Sequence, residues 1–228
     1  MACSLIRAGR VTVNGSVHHN PEYAVHLGKD RIEVDRKRIQ ADAQVYFLLN
    51  KPRGVVTTAA DEKGRRTVYQ FLDPSLPRLS PVGRLDKASE GLLLLTNDSE
   101  WAARIASPES QLDKIYHVQV GRVADAALAE AVIKGVASRN GDFLRAKRAY
   151  ILRGGRRNTW LEIVLDEGRN RHIRRMFEAL EIEVLRLVRV RIGPLELGKL
   201  AKGGSRPLTA AEKDQIDAAL HAHEGAQH

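Results

Sequence analysis

Four consecutive leucines, Leu92 to Leu95, constrain the fold of this chain more than any other feature. They directly follow a loop that has a glycine at each end, Gly83 and Gly91. A short apolar run of this kind is typical of a strand that is buried on both faces. The run is far shorter than the roughly 20 apolar residues that cross a bilayer. The sequence therefore predicts a sheet with this strand at its centre.

Further strands and helices alternate along the rest of the chain. A strand is predicted where apolar residues alternate or cluster between turn signals, and a helix where they recur at intervals of three and four. The predicted strands are 45–49, 115–120, 145–152, 160–165, 184–190 and 195–197, and the predicted helices are 68–72, a helix capped by Asp98, 125–134 and 170–180. This alternation is typical of an α+β fold with a mixed sheet.

The first 42 residues differ in composition from the remainder of the chain, with a break near residues 40–44. They predict a short helix at 2–8, a hairpin turn at Asn14-Gly15 and a strand at 31–35. Such a unit is too small to bury a good core by itself. We therefore expect a small N-terminal module at 1–42, a main domain at 43–216 and a frayed C-terminal tail at 217–228.

The composition excludes several classes of protein. With 43% hydrophobic and 29% charged residues, the chain is neither a disordered polyelectrolyte nor a membrane protein, and its N-terminus turns polar too early for a secretory signal. Cys3 is the only cysteine, which excludes an intrachain disulfide and fits a reducing cytoplasm. No phosphate-binding glycine loop, zinc-protease histidine pair or nucleophile-elbow motif is present. Nothing in the sequence requires a metal, a nucleotide or a flavin, so we expect no cofactor.

Positive charge is concentrated in one stretch of the chain. Residues 139–206 contain 17 Lys and Arg against 8 Asp and Glu, whereas the rest of the chain contains equal numbers of basic and acidic residues. Most of the surplus is arginine, whose planar guanidinium suits phosphate groups. A polyanion-binding face and a merely solvated basic surface explain this charge about equally well.

The loop GRLDKASEG, from Gly83 to Gly91, has Asp86 at its centre and leads into the leucine strand. A loop in this position lies at the rim of the core, where a side chain is both held rigidly and accessible to a ligand. A carboxylate there can act as a nucleophile, a base or a metal ligand. Composition alone favours a simpler role by about three to one, because loops often use Asp to bond their own backbone.

A second candidate site is the segment EGRNRHIRRMF at 167–177. A helix that starts near Asn170 would direct its backbone N–H groups and the nearby arginines at an anion. Arg171 and Arg174 are three residues apart and would share a face of this helix. Arg169 and Arg171 are therefore candidate contacts to the phosphates of a polyanion, although a run of charge is more often a solvated face.

Taken together, these segments resemble the RsuA/RluB-type ribosomal RNA pseudouridine synthases. The shared segments follow one another in order over about 160 residues: LLNKPRGVVTT (48–58), GRRTVYQFL (64–72), VGRLDKASEGLLLLTND (82–98), KIYHVQV (114–120), EGRNRHIRRMFEAL (167–180) and RVRIGPLELGKL (189–200). The GRLD string before the leucines is highly specific for this family. The resemblance implies the pseudouridine synthase fold, which is α+β with a central mixed, mostly antiparallel sheet flanked by helices.

The resemblance also implies roles for individual residues. Asp86 would be the catalytic carboxylate that attacks the target uridine, and Arg174 would pair with it and keep it ionised. Tyr116 would stack on the flipped base, although a tyrosine on a strand is more often a core residue with its hydroxyl bonded. Phosphate contacts near the target nucleotide are implied for Arg84, Lys51 and Arg53.

Enzymes of this family isomerise uridine to pseudouridine, and the resemblance implies that no cofactor or metal takes part. The partner would be ribosomal RNA or a pre-ribosomal particle in the cytoplasm, with the large subunit favoured over the small, and the enzyme would be a monomer without membrane contact. Residues 1–42 resemble the end of an alpha-L type RNA-binding domain. The basic first helix of that domain has no counterpart in this chain, so we expect a truncated module.

Two other functions agree with the same residues. A non-catalytic RNA-binding or ribosome-assembly factor on this fold would use the basic face but would place no special demand on Asp86. A carboxylate-dependent N-glycosidase would release uracil instead of rejoining it to the ribose. That reaction would need a second acid, and Glu90 is the near candidate in sequence.

Overall fold

A computed structural model of the chain describes residues 2–26, 29–39, 43–58 and 64–224. The chain divides into two compact units, Met1–Ala43 and Gln44–His228. This division lies one residue beyond the domain boundary expected from the sequence, at 42/43. Residues 40–42, on which that expectation falls, lie outside the described ranges.

The N-terminal unit combines one short helix with a small antiparallel sheet. Its elements are α1 Ala2–Arg7, β1 Val11–Val13, β2 Ser16–His18, β3 Ile32–Val34 and β4 Lys37–Arg38, with the strand order β2-β1-β3-β4. Asn14 and Gly15 have φ values of 52° and 87°, the left-handed conformation that a tight two-residue hairpin requires, so the predicted turn is confirmed. Among the described residues of this unit only Val13 is buried.

The larger unit contains β5 to β15 and α2 to α5. Its strands are β5 Tyr46–Lys51, β6 Ser80–Pro81, β7 Glu90–Thr96, β8 Lys114–Val120, β9 Val136–Ala137, β10 Phe143–Leu144, β11 Arg148–Gly154, β12 Thr159–Leu165, β13 Val184–Ile192, β14 Leu195–Glu196 and β15 Ser205–Pro207. Its helices are α2 Ser99–Ala106, α3 Ala126–Lys134, α4 His172–Ala179 and α5 Ala210–Glu224, together with short 3₁₀ helices at Val68–Phe71 and Pro108–Ser110.

One nine-stranded sheet organises this unit. Its order is β11-β12-β8-β13-β7-β5-β15, with β14 on β13 and β6 on β7. The pair β13 and β7 is parallel, and the other pairs of this sheet in the described residues are antiparallel. The predicted mixed, mostly antiparallel sheet with the leucine strand β7 inside it is therefore confirmed.

The leucine strand is apolar throughout because both of its faces are covered. Leu92 and Leu94 pack in a core cluster with residues of α2 and α5, whereas Leu93 and Leu95 pack in another with residues of the segment 55–85. All four leucines are 0% exposed. At the other half of the sheet, α3 and α4 cover β8 and β12. The loop that leads into β7 therefore ends between two packed layers, and this restrains its position.

The C-terminal segment differs from the expected frayed tail at 217–228. Helix α5 continues to Glu224, and Ile216 and Leu220 are buried against β7 and α2. The indole Nε1 of Trp101 donates a hydrogen bond of 2.8 Å to the Asp217 carboxylate. The prediction is wrong for 217–224 because these apolar positions recur on one helical face and find a core to pack on; residues 225–228 lie outside the described ranges.

Helix α2 begins as expected, since the Asp98 side chain accepts a hydrogen bond from the backbone N–H of Trp101. Over the described part of the chain, no helix has the length and the apolar character needed to cross a bilayer.

Candidate active site

A cleft of about 560 Å³ in the larger unit brings together residues from distant parts of the chain. Asp86 lines it from the loop before β7, and Tyr116 lines it from β8. Basic side chains surround these two residues: Arg65, Arg84, Lys87, Lys114, Arg169, Arg171 and Arg189. The cleft therefore offers one half-buried carboxylate and one aromatic ring in strongly cationic surroundings.

The loop that carries Asp86 is held by its backbone rather than by the Asp86 side chain. Thr57 Oγ1 donates a hydrogen bond of 2.9 Å to the carbonyl of Leu85, and the Gly54 N–H donates one of 2.7 Å to the carbonyl of Lys87. The Asp86 carboxylate itself makes no hydrogen bond or ion pair with any residue that the structure describes. It thus lacks the turn-stabilising role that composition favoured and is available to a ligand.

Lys51 lies beneath this loop, not at the surface. Its side chain is 0% exposed, and its ammonium donates hydrogen bonds to the carbonyls of Pro52 (3.1 Å), Asp86 (3.1 Å) and Ser89 (2.8 Å). Burial lowers the pKa of Lys51 to about 8, against the opposing effect of the nearby Asp86 carboxylate. These contacts contradict the prediction that Lys51 contacts RNA: the enclosed ammonium positions the Asp86 loop instead.

Arg174, in the first turn of α4, also holds the Asp86 loop through its backbone. Its guanidinium donates hydrogen bonds to the carbonyls of Ala88 (2.9 Å) and Val184 (3.3 Å). Burial and the neighbouring Arg171 lower the pKa of Arg174, while the negative charge of Asp86 acts in the opposite direction. Asp86 is thus near enough to attract Arg174, but the expected direct ion pair is absent between these two described residues.

Tyr116 occupies the centre of β8, opposite Arg189 of β13 and Ile163 of β12. Its ring is half-buried and packs against two of the core clusters. Its hydroxyl forms no hydrogen bond with another described residue, unlike that of a typical core tyrosine. One face of the cleft is therefore an aromatic ring supported from behind by the core.

The other predicted RNA contacts are exposed arginines with different surroundings. Arg84 and Arg171 lie in the cleft lining and form no ion pair with a described residue. Arg169 also lines the cleft but pairs with Glu167 at 2.8 Å. Arg53 is exposed outside the lining and donates a hydrogen bond of 3.2 Å to the carbonyl of Leu185.

Helix α4 starts two residues later than the sequence suggested. Arg171 is its N-cap residue with φ 50°, and the first helical residue is His172. The left-handed backbone at Arg171 places this arginine before the helix, so it does not share the helical face with Arg174 that the spacing predicted.

Four basic residues of the cleft were not predicted from the sequence: Arg65, Lys87, Lys114 and Arg189. Lys114 lies two residues from Tyr116 on the same strand, and this spacing was a usable signal because alternate strand residues share a face. Arg189 gave no such signal, since its place depends on how β13 pairs with β7 and β8. Within the described ranges, no three His, Cys, Asp or Glu side chains form a metal-binding group.

The chain has close counterparts among known proteins. Residues 45–179 match the sequence profile of the family described as RNA pseudouridylate synthase. The chain is 38% identical over 216 residues to the ribosomal large subunit pseudouridine synthase B of Bacillus subtilis (strain 168), covering 94% of this chain and 88% of that protein. It is also 38% identical over 213 residues to the Haemophilus influenzae protein of the same name, covering 88% of this chain and 58% of that protein.

A solved structure agrees with this relationship. A crystal structure of a pseudouridylate synthase matches with a TM-score of 0.68 and 32% identity, covering 94% of this chain and 92% of that chain. The similarity thus extends over both the sequence and the fold, and the matched residues 45–179 include the Asp86 loop, β7, β8 and α4. The chain therefore belongs to the RNA pseudouridylate synthase family, and within it to the RsuA/RluB-type pseudouridine synthases, which are isomerases.

Proposed function

We propose that this enzyme converts a specific uridine of ribosomal RNA, in the large subunit rather than the small, into pseudouridine, with Asp86 as nucleophile and without a cofactor. The observation that carries this proposal is the Asp86 carboxylate, which lines the basic cleft with Tyr116 and bonds to no other described residue. The names of the Bacillus and Haemophilus relatives support the choice of RNA. The protein acts as a monomer in the cytoplasm, with the unit Gln44–His228 as catalytic domain and residues 1–42 as an RNA-docking module.

The reaction exchanges one bond at the ribose C1′ atom for another. The N1–C1′ bond breaks, the uracil turns in the cleft, and a C5–C1′ bond forms while C5 loses its proton and N1 gains one. The carboxylate adds to the ribose carbon or to the base and is released unchanged, as a nucleophilic catalyst must be. Because no net oxidation or hydrolysis occurs, the residues of the cleft suffice for the chemistry.

A uridine in folded RNA must leave its stack before Asp86 can reach it. Flipping a base costs a few kcal/mol, and stacking on an aromatic ring recovers about 1–3 kcal/mol per base. Tyr116 supplies such a ring next to Asp86. The exposed Arg84 and Arg171 at the same cleft bind the phosphates that flank the flipped nucleotide, so affinity depends on RNA backbone and shape.

The N-glycosidase alternative requires Glu90 as a second acid, and the surroundings of Glu90 do not suit that role. Burial alone would raise the pKa of Glu90, but hydrogen bonds from Arg186 and Lys202 bring it below its usual value. A carboxylate held in its ionised form is a poor proton donor to a leaving base. Glu90 is also absent from the cleft lining. The synthase is therefore preferred.

Replacement of the nucleophile tests the proposal. Asp86→Asn should abolish tritium release from uridine labelled at C5 in unmodified ribosomal RNA, while RNA binding persists. Neither the wild type nor the variant should release free uracil. Asp125→Asn is the matched control: Asp125 caps α3, a role that asparagine fills equally well, so its turnover should be unchanged. Normal turnover by Asp86→Asn would overturn the proposed mechanism.

The target uridine can be located directly. Pseudouridines should be mapped in both ribosomal RNAs of a strain that lacks this gene. We expect one position of the large-subunit RNA to remain uridine, and the purified enzyme should modify it in vitro. If a pseudouridine of the small-subunit RNA is missing instead, the proposed activity stands but its substrate is the small-subunit RNA.

A further inference from the structure

Arg189 lies at the floor of the cleft with an unused hydrogen-bond donor. Its side chain is 6% exposed, and its Nε donates a hydrogen bond of 2.8 Å to the carbonyl of Leu92. Its Nη2 is buried and has no hydrogen-bond partner among the described residues. Buried polar groups are almost always satisfied, and a guanidinium donor without an acceptor is costly. An unused donor in the lining of an active site indicates that a ligand supplies the acceptor.

The sheet is built so that Arg189 can occupy this place. Arg189 lies opposite Tyr116 on one side and Gly91 on the other. A Cβ atom at position 91 would lie 2.2 Å from the carbonyl oxygen of Arg189, so the close approach of β13 to β7 requires glycine there. Gly91 directly precedes the leucine run and ends the loop that carries Asp86. Arg189 is therefore fixed between the aromatic ring and the end of the loop that carries Asp86.

Lys114 provides a second cation beside Arg189. It is half-buried, lines the same cleft and lies two residues before Tyr116, hence on the same face of β8. Burial lowers the pKa of Lys114, the positive charge of Arg189 lowers it further, and Asp113 and Asp166 oppose this effect. The Asp113 carboxylate is already engaged by Lys147 and Arg148. The floor of the cleft thus carries two neighbouring cations, one with a free donor.

The chemistry of the proposed reaction supplies a matching acceptor. When the N1–C1′ bond breaks with both electrons on the base, negative charge develops on the uracil and is shared by its O2 and O4 atoms. Fixed donors directed at the place where charge develops stabilise a transition state more than a ground state. A backbone phosphate is a poorer candidate, because the exposed Arg84 and Arg171 serve phosphates at the surface of the cleft.

We propose that Arg189, together with Lys114, binds a carbonyl oxygen of the target uracil and stabilises the negative charge that the base acquires when the glycosidic bond breaks. This inference rests on the proposed function and adds a catalytic residue to it. It assigns Tyr116 to the face of the base and Arg189 to its edge, so that the two residues opposite each other on β8 and β13 hold the uracil from two directions.

Substrates with one oxygen replaced by sulfur test this contact, since sulfur accepts hydrogen bonds weakly. The large-subunit RNA fragment with the mapped uridine is prepared with uridine, 2-thiouridine or 4-thiouridine at the target, and single-turnover rates are measured for wild type and Arg189→Gln. We expect Arg189→Gln to be about 100-fold slower on uridine and one thio substrate to slow the wild type about 10-fold. The variant should show no further loss with that same thio substrate.

The outcome separates a direct contact from a structural role. The rate loss caused by Arg189→Gln and the rate loss caused by sulfur are independent if they multiply. If they multiply for both 2-thiouridine and 4-thiouridine, Arg189 does not bind the base and the inference is overturned. A structural defect would slow all three substrates by the same factor. If Arg189→Gln fails to fold, the same comparison of rates on the three substrates is made with Arg189→Lys and with Lys114→Gln. Each of these variants alters the hydrogen-bond donors at the same uracil oxygen, so it tests the same contact.

Two controls complete the design. Arg191→Gln removes an arginine from the same strand that pairs with Glu196 away from the cleft lining, and its rates should match the wild type. An inactive wild type on the uridine substrate would contradict the proposed function itself. An active wild type with multiplicative losses would contradict only the role of Arg189.

Discussion

At the scale of single residues, Lys51 illustrates how a buried charge can organise a site without touching the substrate. Its ammonium is enclosed by three carbonyl oxygens, two of which belong to the segment 86–89 that carries Asp86. A carbonyl cluster stabilises an ammonium by hydrogen bonds, while burial disfavours its charge. Lys51 therefore fixes the loop at the cost of a lowered pKa, which makes folding stability depend on pH.

The variant Lys51→Met should change that dependence. Because the pKa is about 8 in the folded protein against 10.5 for an ordinary lysine, the folded state binds fewer protons than the unfolded chain between these values. Stability contributed by this group therefore rises with pH through that window, by about 3 kcal/mol at most. The difference in free energy of unfolding between wild type and Lys51→Met should increase from pH 7.5 to pH 10 in urea denaturation.

The matched control is Lys134→Met, which removes an ammonium whose side chain is 78% exposed. The difference in free energy of unfolding between wild type and Lys134→Met should stay constant over the same pH range. A difference for Lys51→Met that is equally flat would show that the Lys51 ammonium keeps an ordinary pKa in the folded protein.

At the scale of elements, the parallel pairing of β7 with β13 decides the geometry of the cleft. This pair brings Gly91 against Arg189 and thereby places the end of the Asp86 loop beside the opposite strand. Gly91 has a φ of 102°, and the backbone of Arg189 in β13 occupies the space that a Cβ atom at position 91 would need. Two requirements, a left-handed backbone and a close approach of strands, coincide at this one residue.

Gly91→Ala should therefore destabilise the protein more than backbone strain alone explains. Gly54 has a similar φ of 88° with nothing within 4 Å of an added Cβ, so Gly54→Ala measures the strain by itself, about 1–2 kcal/mol. Gly91→Ala should cost at least about 2 kcal/mol more, because β13 must shift to admit the methyl group. Equal losses of unfolding free energy for the two variants in urea denaturation would mean that β13 shifts without a cost in stability.

At the scale of the whole molecule, the distribution of charge differs from what the sequence suggested. Three arginines of the basic stretch 139–206 line the cleft: Arg169, Arg171 and Arg189. Other members pair with acidic residues elsewhere, such as Arg175 with Asp142 and Arg206 with Glu212. The neutral remainder of the chain supplies the rest of the cationic lining: Arg65, Arg84, Lys87 and Lys114. Position in the fold, not local charge density, decides which cations line the cleft.

The salt dependence of RNA binding tests this distinction. The double variant Arg84→Gln/Arg171→Gln should reduce the slope of log K against log salt concentration by about 1.5, since each phosphate contact contributes about 0.7–0.9. Lys134→Gln/Arg139→Gln removes the same charge from exposed positions outside the cleft lining and should leave the slope nearly unchanged. Equal effects of the two double variants would mean that net charge, rather than the cleft, governs affinity.

The features of this protein that depend on local pattern could be predicted from its residues alone. The leucine run predicted β7, alternation predicted β8, and the Asp98 and Asn14-Gly15 signals predicted a helix start and a hairpin, because each depends on interactions within a few residues. The GRLD string identified Asp86 and the family through its specific order of residues.

Tertiary structure decided what depends on residues far apart in the chain. Lys51 lies inside the protein rather than on the RNA because carbonyls of residues 86 and 89 surround it. Arg189 reaches the floor of the cleft because β13 pairs with β7 and β8, two strands from a much earlier part of the chain. Helix α5 is ordered because a core is present for it. A pattern along the chain records which face a residue prefers, but the neighbours that satisfy its charge and hydrogen bonds are fixed only when the chain folds.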